Sequence, residues 1–364
     1  MQTNFLVFKL FFIVFCSTIL FAQDTKPVLS ADDLHKIKQF DIDDTYIKDP
    51  KFQQTYRKFL TMSKNSYKNS LKNSILFLPI IKKILKQNNM PDGFLYLAMA
   101  ESYFDTSATS KTKAKGIWQF MKPTAKRYGL KINNQIDERM DIIKATHATT
   151  KYLKYQKKLF GSWYLAILGY NCGEGRVYEA LTRAGLDRYV IKTKSTTKTK
   201  KYAKTIRKYQ KGKVKFGSLL KIYKKIKPHT KDIPLGYLLK IQKNMRRQYF
   251  PQESRRYLLK ILSLYIMSDK SFLQNSSESY LLNISTSDTI KKFVIKGDIM
   301  LENIAILSDM RLSNLVNLNK HILNKEVFSA KKRYNLYVPY KNINQNLLYW
   351  LKNKIIKKDK NEYL

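Results

Sequence analysis

Apolar and polar positions follow a helical period over most of the chain. From Lys51 onward, Phe52, Tyr56, Phe59 and Leu60 fall on one side with polar residues between them. Ser74 to Lys86 repeats the pattern in an amphipathic segment that Pro79 bends or begins, and the turn residues NNMPDG at 88–93 stop it. The next helix is apolar almost throughout, through Phe94, Leu95, Leu97, Ala98, Met99 and Ala100, until it reaches Glu101. Thr106 to Lys115 has no apolar period and is predicted as a loop ended by Gly116. IWQFM follows, and Pro123 opens a helix that Gly129 closes. Asp141 to Phe160 reads as one long helix. Trp163 to Leu168 starts another, which NCGEGRV (171–177) interrupts with two glycines.

Away from this centre the pattern changes. Asp24 to Asp49 is polar and acidic, between Pro27 and Pro50, and is expected to be an extended lead-in. Arg188 to Lys231 is Lys-rich and contains no Asp or Glu; it is either a solvated loop or helix pair, or an arm that holds an anionic polymer. Helix is expected again at Pro234 to Asn244 and within 250–267, and Ser276 to Ser287 reads as a Ser-rich linker. Beyond it, KKFVIKGD (291–298) reads as strand and turn, Leu301 to Ser308 and Leu312 to Leu318 as short helices, and YNLYVPY (334–340) as a strand. The fold class is therefore mainly α followed by a small α+β (βααβ) module. The expected divisions are a lead-in and helix at 23–73 and a helical domain at 74–270 with a basic insertion at 188–231. A linker at 271–290, the module at 291–341 and a basic tail at 342–364 follow.

The first residues change the picture of where the chain works. Lys9 precedes a mostly apolar run from Leu10 to Ala22, short for a membrane span and fitting a secretory signal at 1–22 with cleavage near Ala22. Export to the periplasm or cell envelope is the expectation; an uncleaved anchor is the alternative, since Phe5 to Phe8 could lengthen the span. Phe15 before Cys16 does not suit lipoprotein processing. Loss of Cys16 with the signal leaves Cys172 without an intrachain disulfide partner. Lys and Arg number 69 against 27 Asp and Glu, a formal charge of +42, so association with anionic envelope surfaces is expected. Export argues against a specific nucleic-acid partner. The four histidines, His35, His147, His229 and His321, show no ligand spacing, so no metal is expected. GEGRV lacks the Gly-x-Gly-x-x-Gly frame of a phosphate cradle.

Glu101 is the candidate for chemistry. A carboxyl among aliphatic and aromatic groups has its charged form disfavoured, which raises its pKa toward the range of a general acid for glycosidic cleavage. Asp105 stands four residues later; on a continued helix the two carboxylates would share a face about 6 Å apart, near the spacing of a two-carboxylate retaining glycosidase. The loop that begins at Thr106 favours a helix-end role for Asp105 instead.

Six ordered motifs add to this: AESYF (100–104), GIWQFM (116–121), DERMD (137–141), ATHATTKYLKY (145–155), GYNCGEGRV (169–177) and PQESRRYLLKI (251–261). Together they resemble the lytic transglycosylases of the soluble-lytic-transglycosylase, goose-lysozyme-like superfamily, in the pattern of the membrane-bound lytic murein transglycosylase D type. The resemblance spans about Ser74 to Met267 and implies a lysozyme-like helical domain acting on peptidoglycan glycan strands. It implies that Glu101 is the single catalytic acid, with Ser102 beside it positioning substrate or acid. Gln119 would line the sugar groove, Tyr170 and Asn171 would stand near the scissile bond, and Tyr257 would pack toward the acid. It further implies that Glu101 protonates the oxygen between N-acetylmuramic acid and N-acetylglucosamine. Glu101 would then act as base while the muramyl 6-hydroxyl closes a 1,6-anhydro ring, with no cofactor. Gly169 departs from the Ala usual in the family, and the long tract between Val177 and Pro251 leaves any contacts there open. A muramidase-type hydrolase and a non-catalytic wall-binding protein are the alternatives. Residues 291–341 resemble a LysM module through Val294, Gly297, Asp298, Ile304, Ala305, Leu315, Asn319 and Pro339, implying binding of N-acetylglucosamine chains; a packing module is the alternative.

Overall fold

The computed structural model describes residues 29–352 except 232, 244, 270–280, 282–283, 285, 287, 324–325 and 328–332. The expected signal at 1–22, most of the linker at 271–290 and residues 353–364 of the tail lie outside the described residues. The fold is mainly helical, with the small α+β module at its C-terminal end.

The stretch expected to be extended, Asp24 to Asp49, is helical where it is described: α1 spans Ala31–Lys38 and α2 Asp44–Ile47. Asp33, one of the acids that resembled a lead-in, is a capping residue. Ser30 Oγ accepts from the Asp33 N–H at 3.2 Å and the Ser30 N–H donates to Asp33 Oδ2 at 2.8 Å, a reciprocal cap that satisfies two donors at the helix start. Ile37 and Phe40 then anchor the segment in the core with no exposed surface.

Four helices lead to the site: α3 (Pro50–Met62), α4 (Lys64–Ser74), α5 (Leu78–Gln87) and α6 (Phe94–Ser102). Pro79 lies in the first turn of α5, so it begins that helix rather than bending it. In α6 every residue from Phe94 to Ala100 is buried, the signature of a helix surrounded by others. After α7 (Lys122–Arg127) come α8 (Ile142–Phe160), α9 (Trp163–Cys172) and α10 (Glu174–Thr193). The Lys-rich tract forms the end of α10 and a helix pair, α11 (Thr197–Gln210) and α12 (Phe216–Ile226). Tyr178 and Tyr223 meet edge to face at 4.8 Å, which seats α12 on α10.

The helix expected over Pro234 to Asn244 is shorter, α13 at Leu235–Leu239, because Lys240 turns extended and the Gln248 side chain holds the chain in a loop. The Gln242 N–H donates to Gln248 Oε1 at 2.7 Å, and Gln248 Nε2 donates to the Gln242 carbonyl at 3.1 Å. α14 (Gln252–Ile266) closes the bundle, packing on α6, α3 and α9. Its Leu258, Ile261 and Leu262 have no exposed surface, each worth about 2 kcal/mol of burial.

The C-terminal module pairs β1 (Ile290–Lys296) antiparallel with β4 (Arg333–Pro339), Phe293 opposite Leu336. Between them run β2 (Ile299–Met300), α15 (Leu301–Leu307), α16 (Leu312–Leu318) and β3 (Glu326–Val327). The start of the expected tail is a further helix, α17 (Gln345–Lys352), because Leu347 and Leu351 give it an apolar edge that the module core buries.

The module is docked on the helical domain. Tyr337 Oη donates to Asp141 Oδ1 at 2.5 Å and Asn335 Nδ2 to Asp141 Oδ2 at 3.0 Å, while Asp141 Oδ1 also accepts the Lys144 N–H and so caps α8. Backbone bonds join Asp137 to His321 and Leu323 to Gln135. Tyr337 and Leu318 lie in the main core, and Ile136 lies in the module's core. Among the described residues no helix is long and apolar enough to cross a membrane.

Candidate active site

The end of α6 determines what Glu101 can meet. Tyr103 and Phe104 take left-handed backbone angles, φ 52° and 64°, which stop the helix within two residues of the acid. Asp105 therefore lies beyond a reversed backbone. Its Oδ1 accepts from the Ser107 N–H at 2.8 Å and from Ser107 Oγ at 2.7 Å, and the residue is exposed. The continued helix that would pair Asp105 with Glu101 on one face does not form.

Glu101 instead opens into a cleft of about 870 Å³. One wall is α3 and the residue after it, through Thr55, Lys58, Phe59 and Ser63; the other is α14, through Gln252, Glu253, Arg256, Tyr257 and Lys260, with Asn171 between. Tyr257 Oη donates to Glu101 Oε1 at 2.5 Å. Ser254 Oγ donates to Asn171 Oδ1 at 2.6 Å, which leaves the Asn171 amide N–H groups as donors for a ligand. Lys260 Nζ donates to the Ala100 carbonyl at 2.5 Å and stands 4.7 Å from the Tyr103 ring centre.

Burial raises the Glu101 carboxyl to about 7. The Tyr257 hydrogen bond and the Lys260 charge pull it back only in part, and Glu253 pushes it further up. Near neutral pH this carboxyl is therefore poised between acid and base. The Tyr257 phenol is held well above its ordinary range by burial first and by Glu101 second, so it remains a donor. Among the described residues no three His, Cys, Asp or Glu side chains converge as a metal site would require.

Of the residues singled out from the sequence, Glu101, Asn171 and Tyr257 share this cleft. Ser102, Gln119 and Tyr170 lie outside its walls. Ser102 Oγ donates to the carbonyls of Ala98 and Ile117, tying α6 to the next loop. Gln119 is left-handed at φ 47°, and its Nε2 donates to the carbonyls of Ala108 at 3.1 Å and Gly116 at 2.9 Å; these bonds hold a conformation that costs about 1 kcal/mol or more. Tyr170 Oη donates to the Trp118 carbonyl at 2.6 Å, and Trp118 itself is fully buried, its Nε1 on Thr146 Oγ1 at 2.9 Å. These side chains brace the loop behind the acid.

The DERMD motif completes that brace. Arg139 grips Asp137 through Nε and Nη2 at 2.9 and 2.6 Å and donates from Nη1 to the Lys113 and Phe120 carbonyls. Gly116 is required here: at φ 78°, an added Cβ would stand 2.0 Å from the Arg139 carbonyl oxygen. Gly169 faces the tip of the Gln156 side chain, 2.0 Å from where a Cβ would stand, so a larger residue in α9 would require that amide to shift.

Sequence reasoning did not find the α3 wall or Lys260. Lys260 was within reach of the pattern, since it follows Tyr257 by three on α14 and so shares its face. A second buried glutamate also went unnoticed. Glu179 on α10 has a side chain only 1% exposed, and it accepts from Arg176 at 2.5 Å, Arg247 at 2.9 Å, Arg183 at 3.4 Å and Gln210 at 2.8 Å. Burial pushes its carboxyl up, but these donors outweigh burial and hold it below its ordinary value.

Residues 79–188 match the family model described as "Transglycosylase SLT domain". Over 98 residues the chain is 41% identical to the membrane-bound lytic murein transglycosylase D of Escherichia coli strain K12, covering 27% of this chain and 22% of that one. Over 107 residues it is 36% identical to a putative tributyltin chloride resistance protein of Alteromonas sp. strain M-1, covering 29% of this chain and 52% of that one. The chain thus spans about a fifth of the first relative's length and about half of the other's. The family match includes Glu101, Ser102, Gln119, Tyr170 and Asn171; the α3 wall, Tyr257 and Lys260 fall outside it.

Proposed function

We propose that the chain is a peptidoglycan lytic transglycosylase with Glu101 as its single acid and base. The observation that carries this reading is the Glu101 carboxyl, raised to about 7 by burial at the base of an open cleft and fixed by Tyr257. The match to a transglycosylase domain over residues 79–188 supports the same substrate class.

Tyr257 occupies Oε1, so the proton for the leaving oxygen rides on Oε2. Transfer of that proton to the bridging oxygen breaks the bond between N-acetylmuramic acid and N-acetylglucosamine. The resulting carboxylate gains from the Tyr257 hydroxyl and from the Lys260 charge, both of which favour the ionised form. It is then positioned to take the proton of the muramyl 6-hydroxyl as the 1,6-anhydro ring closes, which regenerates the acid. The substrate's own N-acetyl group stabilises the cation in between, and the Asn171 amide is placed to orient such a group. No cofactor takes part in this scheme.

The site's other residues enter as supports: Ser102, Gln119 and Tyr170 hold the loop from Phe104 to Phe120 against α6 and α9. An exported protein of the cell envelope fits the apolar stretch from Leu10 to Ala22, and the acid-free helices α11 and α12 suit association with anionic envelope surfaces. The LysM-like module at 291–341, docked on Asp141, would present any glycan site at a fixed position relative to the cleft.

Hydrolysis is the second reading, because Glu253 lines the same cleft and its charge acts on Glu101. In that scheme Glu253 would activate a water. Digestion of purified peptidoglycan followed by mass spectrometry separates the two: anhydro-ended muropeptides support the transglycosylase, and reducing ends support the hydrolase. Wall binding without release of any fragment would reduce the protein to a binding module and sink both.

A further inference from the structure

The charge on the cleft walls is uneven. Lys58 from α3 and Arg256 from α14 stand exposed at its opening, and Lys260 lies partly buried below them. Against these cations the walls offer one exposed carboxylate, Glu253; the other acid of the lining, Glu101, is only partly exposed and bonded to Tyr257. Lys260 is occupied at depth by the Ala100 carbonyl and the Tyr103 ring, so it stays with the acid. The two rim cations come from separate helices, and both lie outside the family-matched stretch 79–188.

A neutral N-acetylhexosamine backbone gives such cations nothing to pair with. Hydrolysis of the amide that joins the peptide to the sugar frees one carboxylate on a stripped muramyl strand, the lactyl group attached to the ring, which enters the cleft with the sugar and stays low. Carboxylates on peptide branches project away from the ring toward the opening, where Lys58 and Arg256 stand. Arg256 offers a planar fork suited to a carboxylate and Lys58 a mobile point charge.

We infer that the cleft selects glycan strands that still carry their peptide branches, with Lys58 and Arg256 receiving the branch carboxylates. This rests on the transglycosylase reading and adds a substrate preference to it. The rim cations act on capture of the strand rather than on bond cleavage, so the preference appears in kcat/KM and fades with salt.

The test compares peptide-bearing strands with the same strands stripped by an amidase, using the full chain and the double variant Lys58→Ala, Arg256→Ala. Turnover and cosedimentation are measured on both strands, the latter also with Glu101→Gln so that binding is read without cleavage. The wild-type chain should favour peptide-bearing strands about five- to tenfold, the scale of two exposed charge pairs. The double variant should bring that ratio close to one, chiefly through KM, and added salt should shrink it only in the wild type. A ratio that survives the double substitution, or an equal loss on both strands, overturns the inference. Absence of cleavage of either strand by the wild type overturns the transglycosylase reading instead, and the sedimentation ratio still decides the preference.

Discussion

Glu101 at the end of α6 and Glu179 on α10 are both carboxyls set inside a helical core, and burial pushes both toward the neutral form. Glu101 faces one phenol, one ammonium that is committed to a carbonyl, and another acid, and it rises to about 7. Glu179 faces three guanidinium groups and an amide, and it falls below its ordinary value. Burial sets the starting point for both; the partners decide the outcome. A carboxyl with few donors can give up and regain a proton, whereas one clasped by arginines holds the chain together. Glu179 does so by joining α10 to Gln210 at the end of α11 and to Arg247 ahead of α14.

The largest expected effect is on chemistry. Glu101→Gln should lower fragment release from peptidoglycan by about 10²- to 10⁴-fold, the usual weight of a general acid, and leave the fold intact. Release at the wild-type rate would take the acid away from Glu101. Glu179→Gln should do the reverse, destabilising the chain by about 3–5 kcal/mol in urea unfolding because three arginines lose their charged partner, with little change in rate per folded molecule. An unchanged unfolding midpoint would erase the contrast between the two sites.

The pH dependence sharpens it further. A carboxyl whose folded pKa is about 7 holds a proton that the unfolded chain has already released above its ordinary value of 4.5. Stability from this group therefore falls as pH rises from about 4.5 through 7, by about 3 kcal/mol in all. Glu101→Gln cannot ionise, so at pH 8 it should unfold at higher urea than the wild type; a lower midpoint would contradict the sign. Activity that needs the protonated acid should decline above about pH 7 in the same window. The smallest effect belongs to Tyr257→Phe. It removes one hydrogen bond to the carboxylate, costing roughly 1–1.5 kcal/mol, or about tenfold in rate. The alkaline limb of the pH–rate profile should move upward, since that bond lowers the Glu101 pKa; a downward shift would mean that Tyr257 serves the neutral acid instead.

Much of this was written in local pattern. The central helices follow apolar spacing closely enough that α6, α8 and α14 fall near their expected places. The paired strands of the module also appear where β-branched and aromatic residues alternate. α1 escaped notice because Asp32 and Asp33 are read as loop residues unless Ser30 is recognised as a cap. Glu101 was legible as a charge that ends an apolar run, and Tyr257 became legible only through a motif, since it lies 156 residues away. The α3 wall had no such marker, for nothing in its helical period tells which face meets α14. Glu179 was half legible: Arg176 and Arg183 sit one turn to either side, but Arg247 arrives across 68 residues that pattern alone cannot fold.

Asp141 begins α8 by capping its first turn, and its two oxygens also take donors from Asn335 and Tyr337, 194 and 196 residues further along. A ribosome releases these partners long after Asp141 itself. While the chain is being made, the helical core can gather around a buried aspartate whose distant donors do not yet exist, and closure over so long a separation is slow. A product cut short before Asn335 would keep that aspartate without them, an internal record that synthesis was never finished.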